Sequence, residues 1–175
     1  MKHPGALTRL LLICTLLAAC NKSNLNYQDD FRKSSNTWLS FKQKNANSYA
    51  YEVVQSSWTG FSSQTIITVK AGKVTQRYFK MSLSPSSQIT LPADRLEWTE
   101  TADQIDTHPN SSAAAPLTLD QIYEKARTEW LPKRPKVTVY FETKNDGMIS
   151  ECGYVPDGCQ DDCFIGINIA FIHSL

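Results

Sequence analysis

Histidine is scarce in this chain: there are three among 175 residues, His3, His108 and His173. Hydrolysis by a base-activated nucleophile therefore has little to draw on. The sequence also lacks a Gly-x-Ser-x-Gly elbow, a His-Glu-x-x-His helix, a phosphate-cradling glycine loop and a dinucleotide fingerprint. Neither sign of charge is in excess, with 18 basic residues against 17 acidic ones and a net charge of +1. That balance excludes the broad footprint of a nucleic-acid binder and gives no reason to expect an anionic lipid surface as partner. No apolar run reaches the roughly 20 residues that a membrane-crossing helix needs. Serine is abundant but gathers in turns, where its ordinary work is local hydrogen bonding.

What is present begins at the amino terminus. Lys2 and Arg9 precede the apolar run Leu10 to Leu17, the charged and greasy parts of a secretory signal. The run exits through Leu17-Ala18-Ala19-Cys20. These four residues resemble the bacterial lipobox (Leu, small, small, Cys). The resemblance implies that the Cys20 thiol takes a diacylglyceryl group, that the signal is cut before it, and that the new amine receives a further acyl chain such as palmitate. Several chains anchor stably, since each buried CH₂ contributes about 0.8 kcal/mol and a single chain is marginal. Asn21, rather than Asp, follows the cysteine. By the same likeness this favours the outer membrane of a Gram-negative cell, on the face toward the periplasm. Residues 1–19 are thus expected to be a cleaved signal, 20–26 a lipidated tether and 27–175 one α+β domain. Cleavage removes Lys2 and Arg9, which takes the charge from +1 to −1.

Cys14 leaves with the signal and Cys20 carries lipid, so Cys152, Cys159 and Cys163 remain. Outside the cytoplasm this set reads as one disulfide and one leftover thiol, with three pairings open. A zinc site of the three with His173 is the sharper alternative, but an oxidising compartment favours cystine. Cys152 and His173 could also pair as thiolate and imidazolium, against which stand disulfide formation and burial. Asp157, Asp161 and Asp162 cluster near the cysteines, with Asp146 and Glu151 close in sequence. They are weak calcium candidates: the spacing is not that of an EF-hand and no closing bidentate Glu follows, so solvated loop acids are expected. No cofactor is implied.

Along the mature chain, Tyr27, Phe31, Ser34, Trp38 and Phe41 recur at helical spacing, with acids before and lysines after. From Tyr49 the period becomes two, and Ala71-Gly72 joins two β-rich runs as a tight hairpin. Residues 84–116 hold four prolines among Ser, Thr and Ala, and read as a flexible linker pinned in its middle by Leu96 and Trp98. Thr118-Leu-Asp-Gln121 fits a capping box ahead of the stripe Leu119, Ile122, Tyr123, Ala126, Trp130, which Pro132 ends. Three more strands follow: Val137 to Glu142, Met148 to Val155 after the Asn145-Asp146-Gly147 turn, and Phe164 to Ile172. The expected fold is an antiparallel sheet of about six strands with two helices on one face, an order that would divide into two αβββ halves. Trp58, Gly60 and Phe61 fall at a hairpin tip, expected opposite the acidic loop. If exposed there they would suggest recognition.

The Tyr49-x-Tyr51 strand, the Val69-Lys-Ala-Gly72-Lys-Val74 hairpin and the Ile122-Tyr123 helix with its paired strands resemble a family of secreted bacterial lipoprotein domains. The likeness covers about residues 38–172, and it implies no activity and carries over no functional residues. The leading functional expectation is a non-catalytic binding module, such as an inhibitor or immunity-like protein. It would be held at the envelope by lipid on Cys20 and would engage an envelope protein through a loop stapled by cysteine. The alternatives are an envelope enzyme with an unfamiliar site and a calcium-stabilised structural lipoprotein.

Overall fold

The computed structural model describes residues 24–85, 90–108 and 112–175. The signal-like stretch, the Leu17-Ala18-Ala19-Cys20 box and the start of the expected tether lie outside the described residues.

Helix α1 spans Gln28–Lys44 and buries Phe31, Ser34 and Trp38 on one stripe. Ser34 is tolerated there because its hydroxyl lies 2.8 Å from the phenol oxygen of Tyr123, which satisfies a polar group that burial would otherwise penalise. Strands β1 (Tyr49–Ser56), β2 (Phe61–Lys70) and β3 (Lys73–Leu83) form an antiparallel meander. Tyr49, Tyr51 and Val53 alternate onto the core face, as the period of two predicts. At the β2–β3 turn Ala71 and Gly72 both take positive φ, the backbone demanded by a tight hairpin.

The region expected to be a linker contains regular structure. A short helix, α2 (Ala93–Leu96), leads into β4 (Glu97–Thr101), which pairs with β3 and adds a seventh strand. Trp98 does pin it, stacking on Phe79 with ring centroids 5.2 Å apart. Of the run 110–115, positions 110 and 111 lie outside the described residues, while Ala114 donates its amide to Thr65 Oγ1 at 3.0 Å.

Helix α3 (Leu119–Lys125) opens with the expected capping box. Gln121 N donates to Thr118 Oγ1 at 3.3 Å and Thr118 N to Gln121 Oε1 at 2.8 Å. Its last turn, Ala126–Trp130, widens to a π-turn, closed by Leu131 N on Ala126 O at 2.9 Å just ahead of Pro132. Polar pins tie α3 and its entry to β1 and to α1. Leu119 N donates to Tyr49 Oη at 2.8 Å, Tyr51 Oη donates to Leu117 O, and Trp38 Nε1 donates to Asp120 Oδ1 at 3.0 Å. Burial pushes the Tyr123 phenol up to about 12 and those of Tyr49 and Tyr51 further still. These hydroxyls are hydrogen-bonding groups, not acids or bases.

Strands β5 (Val137–Glu142), β6 (Glu151–Pro156) and β7 (Ile165–Ser174) make a second antiparallel meander. The sheet order is β4-β3-β2-β1-β7-β6-β5. The fold is therefore α+β, a single seven-stranded antiparallel sheet with helices, one strand more than expected. The two halves do sit side by side, but the first strand of one pairs with the last strand of the other. Counted within each half the lateral order is third-second-first in both, but equivalent strands run in opposite directions, so the two halves are not related by a simple shift along the sheet.

The folded unit begins earlier in the chain than the expected start at residue 27. Leu25 bridges Pro132 and packs on the core, Lys133 N donates to Asn24 O at 2.8 Å, and Asn26 N to Leu131 O at 2.8 Å. The folded unit thus reaches back to Asn24.

Candidate functional site

β1 and β7 pair only from Tyr49↔Ser174 to Val53↔Ile169, with a bulge between Glu52 and Val53. Beyond that point the strands part. β1 continues to Ser56 on β2, and β7 starts at Ile165 on β6. The sheet therefore carries a notch at one end. Ser57 N bonds Phe61 O, so by alternation Ser56 turns its N–H and C=O away from β2 and into the notch. Ile169 N bonds Ser150 O, so Gly166 likewise turns its groups away from β6 and into the notch. Ser56 and Gly166 are both exposed. A cleft of about 1230 Å³ runs through this opening, bordered by Val54, Phe61, Asp162, Phe164, Ile167 and Asn168 among others.

Two loops rim the notch. Cys159 and Cys163 are joined, with Cα atoms 6.2 Å apart, and tie the loop between β6 and β7 into a small ring. Ser57 Oγ in the β1–β2 turn donates to Asp162 Oδ2 at 2.6 Å. The hairpin tip is thus beside the acidic loop, not opposite it as expected, because β1 and β7 are antiparallel neighbours and these two turns cap the same end. Trp58 stands on that tip with 73% of its surface exposed. Gly60 holds the turn at φ +88, where a Cβ would lie 2.7 Å from Ser84 Cβ. Phe164 leaves the ring and lies over the paired glycines Gly153 and Gly166, edge-on to Tyr140 at 6.2 Å.

A second cluster lies at the other edge of the sheet, on the core-facing side. Glu100 of β4 is 0% exposed and faces Arg77 of β3. Arg77 Nη2 donates to Oε1 at 3.0 Å, and Nε lies 2.8 Å from Oε2 without the alignment of a hydrogen bond. Four further groups close on the carboxylate: Asp106 N at 2.9 Å, Thr107 Oγ1 at 3.2 Å, His108 N at 2.8 Å and His108 Nδ1 at 3.0 Å. Burial alone would raise the Glu100 carboxyl. The hydrogen bonds from Asp106, His108 and Arg77 outweigh it and hold the group down at about 2. Trp98 lies against Phe79, His108 (4.2 Å, near-parallel) and the Arg77 guanidinium (5.0 Å). A carboxylate so fully supplied with donors is a poor base. It works as a clamp that fastens residues 106–108 to the sheet. Sequence reasoning passed over Arg77 and Glu100 because their pairing depends on β4, which had been read as linker. The alternation of Trp98 and Glu100 was the available signal.

The other sequence candidates are dispersed. Cys152 is buried on the core face of β6, whereas His173 is exposed on the opposite face, stacked on Phe171 at 5.1 Å. A thiolate–imidazolium pair and a zinc site of the three cysteines with His173 are both incompatible with this arrangement. Burial, followed by the neighbouring Glu151 charge, pushes the Cys152 thiol well above its ordinary range. The folded protein is accordingly expected to leave Cys152 unmodified by iodoacetamide and to expose it only in denaturant, as peptide mass mapping would read. Among the described residues no group of three or more His, Cys, Asp or Glu is placed to hold a metal, and Asp157, Asp161 and Asp162 do not converge.

The comparisons with known proteins are brief. No family model, curated protein or solved structure matches this chain. The site must therefore be read from its own chemistry. Among the described residues the notch end brings together an exposed indole, strand backbone beyond the β1–β7 ladder and a loop closed by a disulfide.

Proposed function

We propose that this chain is an envelope lipoprotein, anchored through lipid on Cys20, whose folded domain is a non-catalytic interaction module. In this reading the partner is an envelope protein that binds at the notch between β1 and β7. The observation that carries the proposal is Trp58, an exposed large aromatic on the turn whose Ser57 borders the open cleft and bonds the disulfide-closed loop. Exposed indoles next to concave surfaces are the usual anchors of protein interfaces. The backbone groups of Ser56 and Gly166 suit an extended segment of the partner, which would add its own strand hydrogen bonds.

The anchor is tested by mass spectrometry of the protein purified from membranes, where the first peptide should begin at Cys20 and carry acyl chains. The module is tested by a photo-crosslinking residue at position 58 against one at Lys70, at the far end of the sheet. A discrete adduct from position 58 and none from position 70 is expected in envelope membranes. Equal or absent labelling from both sites would remove the notch as the partner site. Trp58→Ala should change stability by less than about 0.5 kcal/mol, as for an exposed side chain away from the core. It should weaken capture of the crosslinked partner about tenfold or more, the scale of an interface anchor.

A further inference from the structure

We infer that the corner of the domain where the chain enters, around Lys133, Arg134 and Lys136, sits on the anionic headgroups of the bilayer that holds the anchor. This rests on the lipid-anchor reading above and adds the orientation of the domain to it.

Chain length limits how far the fold can stand from the anchor. Asn24 is fixed to Lys133 by a backbone hydrogen bond of 2.8 Å, and Leu25 to Pro132 by a bridge. Residues 21–23 alone separate Asn24 from Cys20. Four Cα steps span at most about 14 Å, so a lipid-bearing Cys20 keeps this corner at the membrane surface. Three cations, Lys133, Arg134 and Lys136, meet one acid there, Asp157. Lys133 and Lys136 are exposed and Arg134 is half-buried, its guanidinium 4.2 Å over the Tyr154 ring. Lys22 adds a fourth cation within the connection, and the first acid after Cys20 is Asp29. Asp157 bonds Lys136 O through its amide, and Glu129 is paired with Lys125 at 2.6 Å. A hollow of about 420 Å³ opens between Asn26, Tyr27, Lys133, Arg134, Val137 and Val139. Its cations and donors suit a phosphate-bearing headgroup.

The chain's balanced total charge hides this corner, because the acids of the same end lie on the loop after β6. β5 begins at this end and is two strands from β7, about 10 Å to the side of the notch. A domain resting on its β5 corner leaves the Trp58 side free for a partner. Basic residues beside an acyl anchor supply the second signal that makes membrane attachment firm.

The test uses the acylated protein reconstituted into vesicles of phosphatidylcholine, with or without phosphatidylglycerol, followed by acetylation of lysines with a water-soluble reagent. Phosphatidylglycerol should slow modification of Lys133 and Lys136 by about fivefold, the weight of one basic residue at a charged surface. Lys70 and Lys73, at the far end of the sheet, should be unaffected. High salt should abolish the difference, as screening requires. Equal rates at Lys133 and Lys136 in both vesicles, on protein whose acyl mass is intact, would overturn the orientation and leave the anchor standing. Absence of acyl mass on Cys20 would overturn both.

Discussion

Arg77→Met is expected to cost about 3–5 kcal/mol of folding stability, the range for removing one partner of a buried ion pair. The loss should appear in urea denaturation as a lower midpoint at unchanged slope. The reason is asymmetric. Glu100 is wholly buried, and once Arg77 is gone its charge keeps the Asp106, Thr107 and His108 donors but no guanidinium. Out of a total stability of about 5–15 kcal/mol for a domain of this kind, that is a large share. A loss below about 1 kcal/mol would mean that water already compensates the carboxylate. Glu100→Gln keeps an acceptor for the two amides and should cost less. The same cluster fixes the behaviour in acid. Glu100 titrates at about 2 in the fold against an ordinary value of about 4.5. A carboxyl lowered in this way contributes stability that is fully present above about pH 4.5 and is lost as pH falls toward 2. In Arg77→Met one of the groups that hold the carboxyl down is gone, so the acid transition should move to higher pH.

That cluster also marks where the sequence stopped being legible. The elements with strong local signals are where they were expected: the capping box at Thr118 and Gln121, the stripe of α1, the alternation from Tyr49, and the tight turn at Ala71-Gly72. Each depends on neighbours a few residues away. β4 is five residues long, sits among prolines and exists because β3 offers it an edge, a non-local cause without a local mark. The notch is of the same kind. It arises where pairing between β1 and β7 gives way beyond a bulge at Glu52/Val53, and the relevant residues are more than a hundred positions apart. Among the cysteines, spacing left three pairings open, and burial of Cys152 in β6 removed it from the choice. Trp58 was ambiguous for a simpler reason. An aromatic at a turn can fold inward or stand out, and only the packing of the tip decides.

Gly166→Ala should be the second severe change, and it tests the notch directly. Gly153 and Gly166 are cross-strand partners of β6 and β7, and the Phe164 ring lies on them. A Cβ at Gly166 would meet Cys152 O at 2.2 Å, Gly153 Cα at 2.5 Å and the tip of Phe164 at 2.9 Å. The ring could swing aside, but the first two contacts are backbone, so the strands themselves must separate. Overpacking commonly costs 1–3 kcal/mol, and with backbone on both sides the expectation is about 3 kcal/mol. Phe164 directly follows Cys163, so displacing its ring shifts the stapled loop and the Ser57–Asp162 hydrogen bond that joins the two rims. Loss of stability should therefore come with loss of the position-58 adduct, measured under conditions where the variant is still folded. Gly158→Ala, in the same loop, has nothing within 4 Å of its added methyl and carries only the strain of φ +79. It should cost about 1–2 kcal/mol, the size of holding a Cβ in the left-handed region, and keep the adduct. If Gly166→Ala proved as mild as Gly158→Ala, the close β6–β7 contact under Phe164 would not be what holds the rim of the notch in place.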